Sequence, residues 1–186
     1  MPPAPTHVAF LRGINVGGHT ARKEQLVRAV ASVGVDDVTT FLASGNVLFR
    51  AGDRDGDGDL DDEISAALAG ELGFGAMAFV RSARQVTTVL RRTPFDRPLP
   101  DSGTLQVGFV RSPLRAASKA AVLELTSDLD RLAATGTEVY WHTAAGVSDS
   151  PLFKGPALGR AVGQDVTWRN VTSVRRLADR LAVPAP

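Results

Sequence analysis

Apolar residues in the first 81 positions recur with two alternating periods, and that alternation restricts the chain to few folds. His7 to Arg12 (HVAFLR) is a short apolar run of the kind a buried strand carries. Leu26, Val30 and Val33 then recur at helical spacing over residues 21–33, with Thr20 placed to cap the helix and Gly34 to stop it. Val38 to Ala43 and Asn46 to Arg50 are β-rich and separated by Ser44-Gly45, the punctuation of a hairpin. Ile64, Leu68 and Leu72 share a helical face that ends at Gly73, and Ala76 to Val80 is strand-like. The order is β-α-β-β-α-β, the split βαβ pattern of a ferredoxin-like sheet with two helices on one face.

The rest of the chain reads as a second half of the same class. A connecting helix over residues 83–92 and a turn-rich joint with Pro94, Pro98 and Pro100 lead to a strand over 105–110 and a helix over 114–125. A strand over 137–142, a short return at 146–148, and helices over 155–162 and 171–181 follow. The expected class is α+β, made of two ferredoxin-like halves with mainly antiparallel sheets and helices packed on one face. The expected division is 1–81, a joint at 82–103, and 104–186.

With no Cys among 186 residues, disulfide frameworks, thiolate zinc sites, iron–sulfur clusters and a Cys nucleophile are excluded. The start lacks the basic and apolar regions of a signal peptide, and no stretch of about 20 apolar residues is present, so a cytoplasmic chain is expected. Seven carboxylates and one Arg lie between Asp53 and Glu63, which leaves 20 bases against 13 acids elsewhere. Of the 21 bases only Lys23, Lys119 and Lys154 are lysines, and Arg suits bidentate contacts to phosphate or carboxylate where such side chains converge. A GC-rich coding sequence produces the same bias.

The stretch Arg12-Gly-Ile-Asn-Val-Gly-Gly-His-Thr20 joins the first strand to the first helix. A glycine-rich turn there can present backbone N–H groups beside the positive end of a helix, which suits a phosphate or carboxylate. Gly13, Gly18, His19 and Thr20 nearly match the phosphate-loop spacing, but His19 stands where that loop needs its lysine, which argues against nucleotide hydrolysis. The competing reading is that Gly17 and Gly18 only permit a turn while Arg12 and Asn15 satisfy backbone groups.

Three segments, HVAFLRGINVGG, FLASGNVLF and VTWRNVTSVRRL, resemble the bacterial family known as domain of unknown function 1697. The resemblance runs from about residue 7 to residue 181. It implies a compact α/β protein without an established activity, and it marks Arg12, Gly13, Asn15, Gly17 and Gly18, then Ser44, Gly45 and Asn46, then Arg169, Asn170 and Thr172. This chain departs from the family wording at His19 and Pro151, where lysine is usual, and at Val171-Thr172-Ser173. Apart from the family, each motif sets Arg or Asn beside Gly or Ser at the end of an apolar element, where loops can meet at one rim of a sheet. Asn46 as a turn residue and Asn170 as a helix cap are the structural alternatives.

The candidate ligand-binding residues are therefore Arg12, Gly13, Asn15, Gly17, Gly18, His19, Ser44, Asn46, Arg169 and Asn170. A weaker calcium candidate is Asp53, Asp55, Asp57 and Asp59, which reproduce part of an EF-hand loop but lack the bidentate Glu, since Ile64 holds that position. Base stacking by an RNA-binding sheet would use Phe10 and Phe49, although Phe on a strand is more often core. No metalloprotease or nucleophile-elbow motif is present, and no cofactor is expected. Arg175, Arg176 and Arg180 form a basic patch on the last helix. The favoured function is an anion-binding module for a phosphate-bearing small molecule or nucleic acid. The alternatives are an enzyme on a phosphorylated or carboxylated metabolite with Arg12 or Arg169 as clamp, and a structural or interaction protein.

Overall fold

The computed structural model describes residues 4–15, 18, 20–42, 44–54, 60–92, 94–100 and 102–182, with Asp53 by its backbone alone. The chain divides into two compact units, Met1–Thr88 with Arg176–Pro186, and Val89–Arg175.

The first unit runs β1 (His7–Arg12), α1 (Lys23–Ala31), β2 (Asp36–Thr40), β3 (Asn46–Arg50), α2 (Leu60–Leu72) and β4 (Met77–Ser82), after which α3 (Ala83–Arg91) begins. Its antiparallel sheet has the order β2-β3-β1-β4. Alternation along the strands sends Ala9, Leu11, Val47, Phe49 and Ala78 to one face, where they meet Leu26, Ala29 and Val30 of α1 and Leu60, Ile64 and Leu68 of α2. Val8, Phe10, Leu48 and Phe79 on the other face are buried as well, which is why HVAFLR reads as an unbroken apolar run. Phe10 and Phe49 are both 0% exposed, so neither is a platform for a nucleobase.

β4 is an edge strand, and α2 covers its outer amides. Ser65 Oγ accepts a hydrogen bond from the Ala78 N–H at 2.9 Å, and an Asp61 carboxylate oxygen accepts one from the Val80 N–H. Glu63 grips the Arg54 guanidinium in two bonds of 2.7 and 2.8 Å. Two of the seven acids that looked solvated in the sequence thus hold the fold. α1 starts later than the sequence suggests: Arg22 rather than Thr20 is the N-cap residue, and Gln25 Oε1 accepts from the Arg22 N–H at 3.1 Å. Near the C-terminus the Ala182 N–H donates to Pro5 O at 2.8 Å, and Arg180 lies over the Phe41 ring, so this arginine of the basic patch is packed on an aromatic face.

The second unit continues with β5 (Thr104–Phe109), α4 (Ala116–Glu124), β6 (Asp130–Thr135), β7 (Glu138–Thr143), α5 (Pro151–Lys154), α6 (Ala157–Val162), β8 (Thr167–Asn170) and α7 (Val171–Ala178). Its antiparallel sheet is ordered β6-β7-β5-β8, the order of the first sheet when strands are counted within each unit. Val122, Leu158 and Val162 from the helices pack on Leu132, Val139 and Trp141 of the sheet. Gly108 lies mid-strand because the Trp168 ring occupies the space a side chain would need, 2.8 Å from where a Cβ would stand. The buried Asp130 accepts from Trp141 Nε1 at 2.7 Å and from Ser150 Oγ at 2.9 and 3.1 Å.

The protein is α+β, with two four-stranded antiparallel sheets and helices. Four local readings are corrected. β6 (DRLAAT) and β8 (TWRN) are strands that the sequence did not announce, the first because Leu and Ala favour helix and the second because it is only four residues long. The expected return at 146–148 is a short 3-10 turn at Val147–Asp149, and the helix expected over 155–162 is preceded by the separate α5, with Gly155 and Pro156 between it and α6. Among the described residues no helix is long and apolar enough to cross a membrane.

Candidate functional site

In the first unit, the chain leaving β1 and the turn between β2 and β3 meet over the start of α1. Ile14, Asn15, Thr20, Ala21, Lys23 and Leu26 form one side of a cleft of about 240 Å³, and Thr40, Leu42, Gly45 and Asn46 form the other. Local chemistry explains the meeting. Asn15 Oδ1 accepts from the Ala21 N–H at 3.3 Å, and the same amide donates to Ile14 O at 3.1 Å. Asn46 Nδ2 donates to Phe41 O at 3.0 Å and to Ser44 Oγ at 2.9 Å, which closes the turn. Gly45, at φ +73, sends its carbonyl to the Leu11 N–H at 2.8 Å, and a Cβ there would lie 2.7 Å from Ile14 Cδ1. Leu42 also lines the cleft at φ +60, a left-handed backbone that costs a branched side chain about 1–3 kcal/mol and that clusters at ligand sites.

Of the residues singled out in the sequence, the cleft gathers Asn15, Thr20, Gly45 and Asn46. Arg12 ends β1 exposed, with Nη1 3.8 Å from Met77 Sδ on its β4 side, and Gly13 follows it. Ser44 is exposed and Gly18 is exposed. Gly17, His19, Asp55, Asp57 and Asp59, and the Asp53 side chain, lie outside the described residues. Among the described residues no group of three His, Asp or Glu could hold a metal. Lys23 and Leu42 are lining residues that sequence reasoning did not select, whereas Thr20 was read there as a helix cap and as part of the phosphate-loop spacing.

Arg169 and Asn170 belong to the second unit. Arg169 is buried on β8, where Nη1 donates to Thr167 Oγ1 at 2.9 Å and to Trp168 O at 2.8 Å, and burial pulls its guanidinium down to about 10. Asn170 caps α7, its Oδ1 accepting from the Thr172 N–H at 2.8 Å. Nearby, the end of α3, the segment 94–99, Leu105, Tyr140 and the first turns of α7 enclose a second cleft of about 550 Å³. Arg131 Nη1 donates to Pro98 O at 2.9 Å and His142 Nε2 to Ser102 O at 3.0 Å, which ties the proline-rich segment and the turn before β5 to the sheet.

Tyr140, the one tyrosine of the chain, is 2% exposed and donates its hydroxyl to Val89 O at 3.2 Å. Burial first, and the Glu138 carboxylate second, push its phenol up to about 12, against the opposing pull of Arg92 and Thr135. Tyrosinate absorbance at alkaline pH should therefore rise near pH 12 in the native protein and near 10 in denaturant. A pKa raised by folding gives stability that is whole below pH 10 and lost between 10 and 12, by up to about 2–3 kcal/mol. A native midpoint at 10 would show the ring in water.

Similarity to known proteins follows this architecture. Residues 5–140 match the family described as "Protein of unknown function (DUF1697)". No curated protein matches the chain. Among solved structures, the chain is similar to the conserved bacterial protein SP0830 from Streptococcus pneumoniae, at 19% identity and a TM-score of 0.71, over 96% of this chain and 99% of the other. At that identity the likeness is one of fold. The family match covers most of the sequence, and the chain belongs to the DUF1697 family of proteins of unknown function.

Proposed function

We propose that the protein is a binding module for a small phosphate-bearing anion, held in the first-unit cleft. The observation that carries this reading is the convergence of Asn15, Thr20, Lys23 and Asn46 on one cleft at the start of α1. Lys23 supplies charge, the Thr20 hydroxyl and the Asn15 Nδ2 supply donors, Asn46 holds the wall through its bonds to Phe41 and Ser44, and the positive end of the helix adds to the donors. A volume of about 240 Å³ is below the roughly 300–1,000 Å³ of pockets for drug-sized ligands, so the cleft suits a phosphoryl head rather than a whole nucleotide. The strained Leu42 at its wall supports the same assignment.

A ligand that binds only the native state stabilises it by about 2.7 kcal/mol at a hundredfold excess over Kd. Phosphate, pyrophosphate or a sugar phosphate is thus expected to raise the Tm by several degrees. Lys23→Ala, an exposed change, should remove that shift and leave the ligand-free Tm where it was. A second reading, a structural protein whose polar loop residues only hold turns, is favoured by the bonds from Asn46 to Phe41 and Ser44. Under it Asn46→Ala still lowers stability, by about 1–3 kcal/mol, but no anion raises the Tm of the wild-type protein.

A further inference from the structure

The geometry points to a separate site in the second unit for a small aromatic carboxylate. The cleft of about 550 Å³ is within the size range of pockets for drug-sized ligands, and its walls are apolar: Val89 and Leu90 from α3, Leu105, Val171, and the rings of Phe95 and Tyr140. Those two rings already meet edge to face, with centroids 6.5 Å apart at 78°. Tyr140 spends its hydroxyl on Val89 O, so it offers the cleft a ring rather than a donor.

The charge is not balanced. Arg92 pairs with Glu138 at 3.5 Å, and Arg97 and Asp96 face each other at 4.0 Å in solvent. Arg175 has no acidic partner among the described residues. It sits at a seam, because Leu99, Leu105, Val171 and Arg175 line both this cleft and an adjoining one of about 650 Å³. The adjoining compartment is polar, with His142, Asn170 and Thr172 around it. His142 is occupied by Ser102 O, and Asn170 uses its Oδ1 on the Thr172 N–H, which leaves the Asn170 Nδ2 donor beside Arg175 at the start of α7.

An apolar, ring-lined chamber that opens past an arginine with no acidic partner among the described residues, onto the Asn170 amide, fits a carboxylate on an aromatic ring. The ring of the ligand lies against the Phe95–Tyr140 pair and the end of α3. Its carboxylate crosses the seam to the guanidinium of Arg175 and the amide of Asn170. The site is built wholly from residues of the second unit and shares none with the phosphate cleft.

The test is calorimetric titration of the full chain with 2-naphthoate and with its neutral counterpart 2-naphthylmethanol. One naphthoate is expected to bind at least tenfold tighter than the alcohol. Arg175→Gln, at an exposed position, should erase that preference with the Tm unchanged. Leu99→Glu, which sets a carboxylate at the seam, should weaken naphthoate more than the alcohol, and Lys23→Ala should weaken neither. Absence of naphthoate binding, equal binding of the two probes, or a preference that survives Arg175→Gln would each overturn the assignment.

Discussion

Asp130→Ala is expected to lower the stability of the second unit by about 3–5 kcal/mol, read from a urea melt followed by tryptophan fluorescence. The carboxylate is 2% exposed and is the acceptor for both the Trp141 indole N–H and the Ser150 hydroxyl. Alanine leaves two buried donors without a partner, at about 1–3 kcal/mol each, and adds a small void. Ser150 is also the residue whose Oγ accepts from the Leu152 N–H at the start of α5, so the loss should extend to the 147–154 segment. Asp130→Asn keeps one acceptor and should cost less than half as much. An alanine variant within about 0.5 kcal/mol of wild type would mean that water reaches this cluster.

Ile64→Ala should cost the first unit about 2–5 kcal/mol, and Ile64→Val only about 0.5–1.5. Ile64 is 0% exposed and belongs to the cluster that joins α2 to the sheet through Leu68, Phe49 and Ala78. The spread between the two substitutions measures how far the core can collapse around the missing atoms. Both melts should be followed by far-UV circular dichroism, since the two tryptophans, Trp141 and Trp168, lie in the second unit. Equal midpoints for the alanine and valine variants would contradict the packing described for this face of α2.

Legibility was uneven for physical reasons. The strands at His7–Arg12 and Asn46–Arg50, and the helix bearing Ile64 and Leu68, announce themselves because a side chain's burial follows the local period of its element. β6 does not, because DRLAAT has no strand period. What makes it a strand is pairing with β7, Leu132 opposite Trp141 and Ala133 opposite Tyr140. Glu63 and Asp61 looked like members of a solvated acidic run until packing gave them Arg54 and the β4 edge as partners. Of the motif residues, Asn15, Gly45 and Asn46 line one cleft and Asn170 lines another beside Arg175 of the basic patch, while Lys23, Leu42 and Tyr140 carry no local mark of a site.

By itself the sequence determined the order and type of most elements, the α+β class, and the exclusion of thiol chemistry, since composition and periodicity act over a few neighbouring residues. Only the tertiary structure decided which polar groups are consumed inside the protein and which line a cleft. That outcome depends on strand register and helix packing between residues such as Tyr140 and Val89, 51 positions apart, whose encounter no local pattern encodes.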